Sequence, residues 1–344
     1  MSADSNVSSI DTPMVGDGLI EAAPAVSIRM IGWVILSLMA AFLVNAVLTF
    51  WGGWPGIGQL LGWQSNGDGS STLSAVQMAI YVASILVAIF LVNKTKQRTL
   101  RDDERVTANL SMFIIRACFW VVLLVGMVDM VISFLRVEGL LEGVVGSDLA
   151  SDLGRSQVRG LFVHTPIVIF GIVLACFTRT LGFHWLALLV VVAELIIVFS
   201  RFVFSYEQAF MADLVRFWYG ALFLFASAYT LLDDGHVRVD LLYAGFRNKT
   251  KGVVNRWGAI FLGIPLCWTI LLIGMWSKSA VIVSPILVFE VTQAGFGLYI
   301  KYFMAGFLGI FAVSMMVQFV SQFFGATADV RGEAGGRKTG HEVM

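Results

Sequence analysis

The chain has 344 residues, 58% of them hydrophobic and only 13% charged, with 23 basic and 23 acidic side chains and no formal net charge. Soluble domains are about 45–50% apolar and about 25% charged, so half the usual charge is missing. That composition excludes an ordinary soluble domain, and a balanced charge gives no electrostatic footprint for a nucleic-acid partner.

Residues 1–27 are polar and carry Asp4, Asp11, Asp17 and Glu21. They read as a disordered cytoplasmic tail, because a secretory signal would open with a basic segment before a short apolar run. Eight apolar windows follow, at roughly 29–50, 73–93, 110–135, 161–179, 184–204, 209–232, 256–276 and 299–323. Each is close to the roughly 20 residues that span a bilayer core, and few carry the polar outer face of a soluble helix. The expected fold is an all-α integral membrane protein, a polytopic bundle of about eight transmembrane helices.

Trp51, Trp54 and Trp63 flank the first window and suit an interfacial aromatic belt. Arg116 lies inside the third and suits a side chain that snorkels to the nearer interface. A tight turn at Thr180, Leu181 and Gly182 joins the fourth to the fifth. Pro166 and Pro265 fall within windows but do not form the matched helix breaks of a carrier. Cys118, Cys176 and Cys267 have no CxxC spacing and read as small core residues. The segment from Gly325 onward reads as a second disordered tail.

Orientation follows from the basic residues. With the N-terminus cytoplasmic, that side receives Arg29, Lys94, Lys96, Arg98, Arg101, Arg105, Arg179, Arg238, Arg247, Lys249, Lys251, Arg256, Arg331, Arg337 and Lys338, fifteen of the 23. The other side receives Arg136, Arg155, Arg159, Arg201, Lys278 and Lys301. Both termini are therefore expected in the cytoplasm. Arg247, Lys249 and Lys251 would add attraction to anionic phospholipid there, roughly 1 kcal/mol each.

Acid–arginine pairs recur. Asp129 stands seven residues before Arg136, and Glu194 seven before Arg201, which places each pair on one helix face about 10.5 Å apart. Each is followed by a closer pair, Asp152 with Arg155 and Asp213 with Arg216. The pattern is either an internal duplication or the chance recurrence of charges near span ends. Asp129 and Glu194 are either proton-relay carboxylates or acids neutralised by an arginine or a helix contact. Asp213 and Arg216, three apart, suit an ion pair within the helix or between subunits. His164 has no second axial histidine or metal-ligand set beside it and reads as a packing residue.

The second half of the chain arranges its polar residues in a recognisable order. SRFVF (200–204) closes one span, ADLVRFWYGALFLFASAYTLL (212–232) forms the next, GHVRVDLL (235–242) follows, and VSPIL (283–287) precedes the last span. Over about residues 183–325 this resembles the small membrane subunit of TRAP transporters, the DctQ-type family. The D-G-H-V-R-V-D stretch at 234–240 carries most of the likeness.

The resemblance divides the chain into a tail (1–27), an N-terminal four-span extension (28–180), a DctQ-like domain (181–325) and a second tail (326–344). It implies a bacterial inner-membrane subunit that braces a large permease subunit as a heterodimer. A periplasmic binding protein would deliver organic acids to the pair, and the large subunit would use the sodium gradient. No cofactor and no enzymatic activity are implied for this chain. Glu194, Arg201, Asp213, Arg216, His236, Arg238, Asp240, Ser284 and Pro285 become candidate subunit-contact or structural residues. Asp129, Arg136, Asp152 and Arg155 are their counterparts if the repeat is real. His236, Arg238 and Asp240 read as a latch at the cytoplasmic edge. The alternative is a free-standing secondary carrier or membrane oxidoreductase subunit using Glu194, Asp129 or His164. The loops at 141–160 and 279–298 mix apolar and polar residues and suit short interfacial helices.

Overall fold

A computed structural model of the chain describes residues 24–62, 71–179, 183–206, 210–232, 243, 245–291 and 297–335. The described residues are helical, without strands. Eight helices are long and apolar enough to cross a membrane: Val26–Phe50, Ser71–Lys94, Leu100–Val137, Ser156–Phe177, His184–Phe204, Met211–Leu232, Lys249–Gly274 and Lys301–Arg331. They are the first to eighth spans below.

The third and eighth spans, 38 and 31 residues long, rise about 57 and 46 Å at 1.5 Å per residue, well beyond a hydrocarbon core of about 30 Å. The third begins ten residues before its apolar window because Thr99 and Asp102 form a capping box. The Thr99 hydroxyl accepts from the Asp102 N–H at 3.2 Å, and the Asp102 carboxylate accepts from the Thr99 N–H at 3.3 Å. Both first-turn donors are thereby satisfied, and the helix extends into the polar sequence TLRDDER.

The eighth span corrects the expected second tail: Ala326–Arg331 continue the helix. Ala326, Thr327 and Ala328 are buried, Asp329 pairs with Arg101, and Glu333 accepts from the Leu100 N–H at 3.2 Å. Contacts with the start of the third span supply the order that local composition does not. Residues 1–23 and 336–344 lie outside the described residues.

The eighth span is the axis of the bundle, packing on the first, third, sixth and seventh. The first and second spans form one hairpin, the third and fourth another, and the fifth and sixth a third. The third, sixth and eighth meet along an aromatic ladder. Phe119 and Phe225 are edge to face at 5.8 Å, Phe225 and Phe307 at 5.1 Å, and Phe217 stacks on Phe307 at 5.2 Å. Such arrangements add to simple burial.

Glycine permits the closest approaches. A Cβ on Gly126 would lie 2.4 Å from Trp218 Nε1, and one on Gly32 would lie 2.3 Å from the Phe324 ring. Small residues at contacts are how helices gain attraction within lipid, where burial alone offers little.

Two helices carry one π turn each, Arg159–His164 in the fourth span and Ala259–Gly263 in the seventh. Each precedes a proline, Pro166 or Pro265. A proline lacks the N–H for the i−4 carbonyl and its ring crowds that carbonyl, so the ladder widens just upstream. The Thr165 and Ile264 N–H groups accordingly donate five residues back, to Gly160 and Ala259. Both helices run on unbroken. The loops opposite the described chain ends hold short helices at Leu141–Val145, Ser147–Leu153 and Val283–Leu287.

Candidate functional site

The π turn of the fourth span builds the main polar site. In an α-helix residues five apart point about 140° away from each other, and one wide turn brings them nearly onto one face. Arg159 and His164 are five apart, and both reach Asp129 of the third span. Arg159 Nη1 donates to Asp129 Oδ1 at 2.9 Å, and His164 Nε2 lies 3.1 Å from the same oxygen. Asp129 Oδ2 accepts from the Tyr299 N–H at 2.8 Å. A carboxylate only accepts, so Nε2 carries a proton toward Asp129, and Nδ1 hydrogen-bonds with the Tyr302 hydroxyl, 2.5 Å away. Asp129, Arg159 and His164 are all buried, at 0–1% exposure.

Arg159 also donates through Nε to the Leu153 carbonyl at 2.9 Å and through Nη1 to Ser133 at 3.3 Å. Its guanidinium lies 4.1 Å from the centre of the Tyr299 ring, and that of Arg136 lies 4.6 Å from the same centre. Arg136 further donates to the Tyr299 hydroxyl and, at 3.2 Å, to the Gly297 carbonyl. The Tyr299 hydroxyl in turn donates to the Gly154 carbonyl at 2.8 Å. Phe289 and Phe303 stand beside Tyr302 and close the apolar side. Gly160 is required there, because a Cβ would lie 2.2 Å from the Phe289 ring.

The cluster therefore ties the third and fourth spans to the segment that leads into the eighth. Three donors converge on one carboxylate, which is the pattern of a fixed counter-ion. A second buried cluster ties the other end. Arg29 donates to Asp103 at 2.6 Å, the Trp33 indole donates to the same carboxylate at 3.1 Å, and Arg98 approaches it at 3.5 Å. Arg101 spans Glu104, at 3.0 Å, and Asp329.

Asp129 and Arg136, two turns apart on one helix, both reach Tyr299, and the arginine that pairs with Asp129 is Arg159 of the fourth span. His164, expected to be a packing residue, is a member of the hydrogen-bonded cluster. Asp152 and Arg155 pair at 3.4 Å, and Asp213 and Arg216 at 3.5 Å. Glu194 is exposed although its counterpart Asp129 is fully buried. Arg201 is exposed, and Ser284 and Pro285 are half-buried in the short helix before the eighth span.

Arg247 and Lys249 are exposed, and Lys251 lies 5.5 Å from the Tyr243 ring centre. His236, Arg238 and Asp240 lie outside the described residues. Arg116 donates to the Ala175 carbonyl at 3.0 Å, so this span-embedded cation is satisfied across a helix contact.

In the sequence Arg29, Arg101 and Arg159 stand out only as basic charges on one side or the other, and nothing singles out Asp103. The usable signals were the T-x-x-D box at Thr99 and the placement of Arg159 and His164 just upstream of Pro166.

A cavity of about 440 Å³ opens between the third, fifth and sixth spans, lined by Met130, Phe134, Ile197 and Phe210 with Ser200 and Tyr206. No charged side chain is in its lining, so it is poorly suited to hold an organic anion. Among the described residues no group of His, Cys, Asp and Glu is placed to hold a metal ion.

The fold and its buried charge clusters define a polytopic helical membrane protein whose first, third and fourth spans are joined to one another by buried ion pairs. They are joined to the eighth span and the segment leading into it by the Arg101–Asp329 pair and the hydrogen bond from the Tyr299 N–H to Asp129. A family model described as the DctQ component of the tripartite ATP-independent periplasmic transporters matches residues 187–329, from within the fifth span to the end of the eighth. Over those four spans the chain is similar to the small membrane component of these transporters, and it carries an N-terminal helical extension of four more. No curated protein and no solved structure matches the chain.

Proposed function

We propose that the chain is the bracing subunit of a heteromeric, ion-gradient-driven transporter for organic acids in a bacterial inner membrane. A large permease subunit carries substrate and sodium, and a periplasmic binding protein delivers the substrate. The family match supports the transporter class. The observation that carries the heteromeric reading is Glu194. It stands midway along the fifth span, is exposed, and lies among exposed Val191, Leu195, Ile196 and Val198 on the span least covered by the rest of the chain. An ionisable group at a bilayer centre costs about 2.5–3.5 kcal/mol on insertion scales and faces protein in nearly all known cases. A partner helix with a hydrogen-bond donor meets that requirement.

The basic residues around the sixth-to-seventh connection support a cytoplasmic position for that end by the positive-inside rule. Arg247, Lys249 and Lys251 there attract anionic phospholipid. His236, Arg238 and Asp240 act as a latch on the partner. Co-expression with a large permease subunit of this transporter class tests the reading: the two chains co-purify, uptake in proteoliposomes needs both, and Glu194→Leu or Arg238→Glu weakens co-purification. Robust uptake by this chain alone overturns it.

A further inference from the structure

Among the described residues, the cluster around Tyr299 has more positive charge than its own acid balances. Arg136 and Arg159 both stack within 4.6 Å of the Tyr299 ring centre, and Asp129 is the carboxylate bonded to the cluster. Glu290, on the loop that leads to Tyr299, is committed to Lys301. Any proton on His164 would add to the excess. A guanidinium cannot discharge by losing a proton, and an aromatic ring attracts cations without supplying net charge. The donor count gives the same result. Nη2 of Arg159, on a side chain with 0% exposure, is buried with no hydrogen-bond partner, and so is Nε of Arg136. A water molecule would satisfy an N–H group but leave the charge.

We propose that this cluster binds one compact monovalent anion, of chloride or small-carboxylate size, held by the free N–H groups of Arg159 and Arg136. The half-buried side chain of Arg136 marks the way in. The anion completes the lock between the third and fourth spans and the entry to the eighth, and the assignment is independent of the transporter reading.

The test uses the full chain in lipid nanodiscs, exchanged into sodium gluconate and titrated with chloride or formate at constant ionic strength. The unfolding midpoint rises with the bound anion and saturates, a shift on the order of 2–4 °C. The stronger of the two salts identifies the preferred source, and gluconate, being bulky, gives no shift. Arg136→Gln removes the excess charge and abolishes the response. Equilibrium dialysis with radiolabelled chloride and formate finds one anion per unaltered chain, and decides the matter even if the variant fails to fold. Equal midpoints in all three salts with no bound label overturn the proposal, as does a full response in Arg136→Gln.

Discussion

Arg159 and Asp129 meet at 2.9 Å with both side chains fully buried, one on the fourth span and one on the third. Asp129 also holds His164 and the Tyr299 N–H, so a single carboxylate organises three residues from the fourth span and the segment before the eighth. Removing it leaves Arg159 as an uncompensated buried charge. Asp129→Ala should therefore destabilise the bundle by about 3–5 kcal/mol. The double variant Asp129→Leu with Arg159→Met should lose much less, because apolar replacements remove the desolvation cost with the attraction. Unfolding midpoints of the two variants in the same detergent decide it, and equal losses would argue against a buried ion pair.

Gly126 and Trp218 set the distance between the third and sixth spans. A Cβ at Gly126 would lie 2.4 Å from Trp218 Nε1, and Trp218 is 2% exposed. Gly126→Val should cost about 1–3 kcal/mol by overpacking. The indole N–H has no hydrogen-bond partner, so shrinking Trp218 breaks no bond. Adding Trp218→Leu to Gly126→Val should return part of the loss. A rescue that fails, measured by thermal unfolding, would place the strain elsewhere.

Asp329 anchors the end of the eighth span to Arg101, and it is 41% exposed. Exposure limits such a pair to about 1 kcal/mol or less, so Asp329→Asn should leave global stability nearly unchanged. Its effect should be local, with faster amide hydrogen exchange across residues 326–331. Unaltered exchange there would show that burial of Ala326 and Ala328 suffices to hold the helix.

Tyr206 donates its hydroxyl to Glu138 at 2.6 Å in the loop after the fifth span. That bond to a carboxylate, followed by slight burial, raises the phenol above its ordinary value near 10. The sign follows from the raised value. The contribution is complete below the unfolded-state pKa and disappears as pH climbs through the folded one. Above about pH 10, the unfolded-state value, stability should fall more steeply for the native chain than for Tyr206→Phe. Parallel curves would remove the bond from the account.

The apolar windows, their spacing and the basic bias of alternate loops were legible in the amino-acid sequence, because the length that crosses a bilayer and the cost of a charge inside it are local properties of the chain. The same holds for the likeness of the last four spans to the DctQ component, which the family model matches over residues 187–329. Which charges meet was decided only in three dimensions. Asp129 pairs with Arg159 because Pro166 widens one helical turn, and Glu194 stays uncovered because the fifth span packs at the margin of the bundle. Asp329 orders a segment of tail-like composition because Arg101 waits for it more than 220 residues earlier in the chain. Local sequence carries helix length and hydropathy; partner choice between helices depends on rotation and register, which appear only when the spans pack.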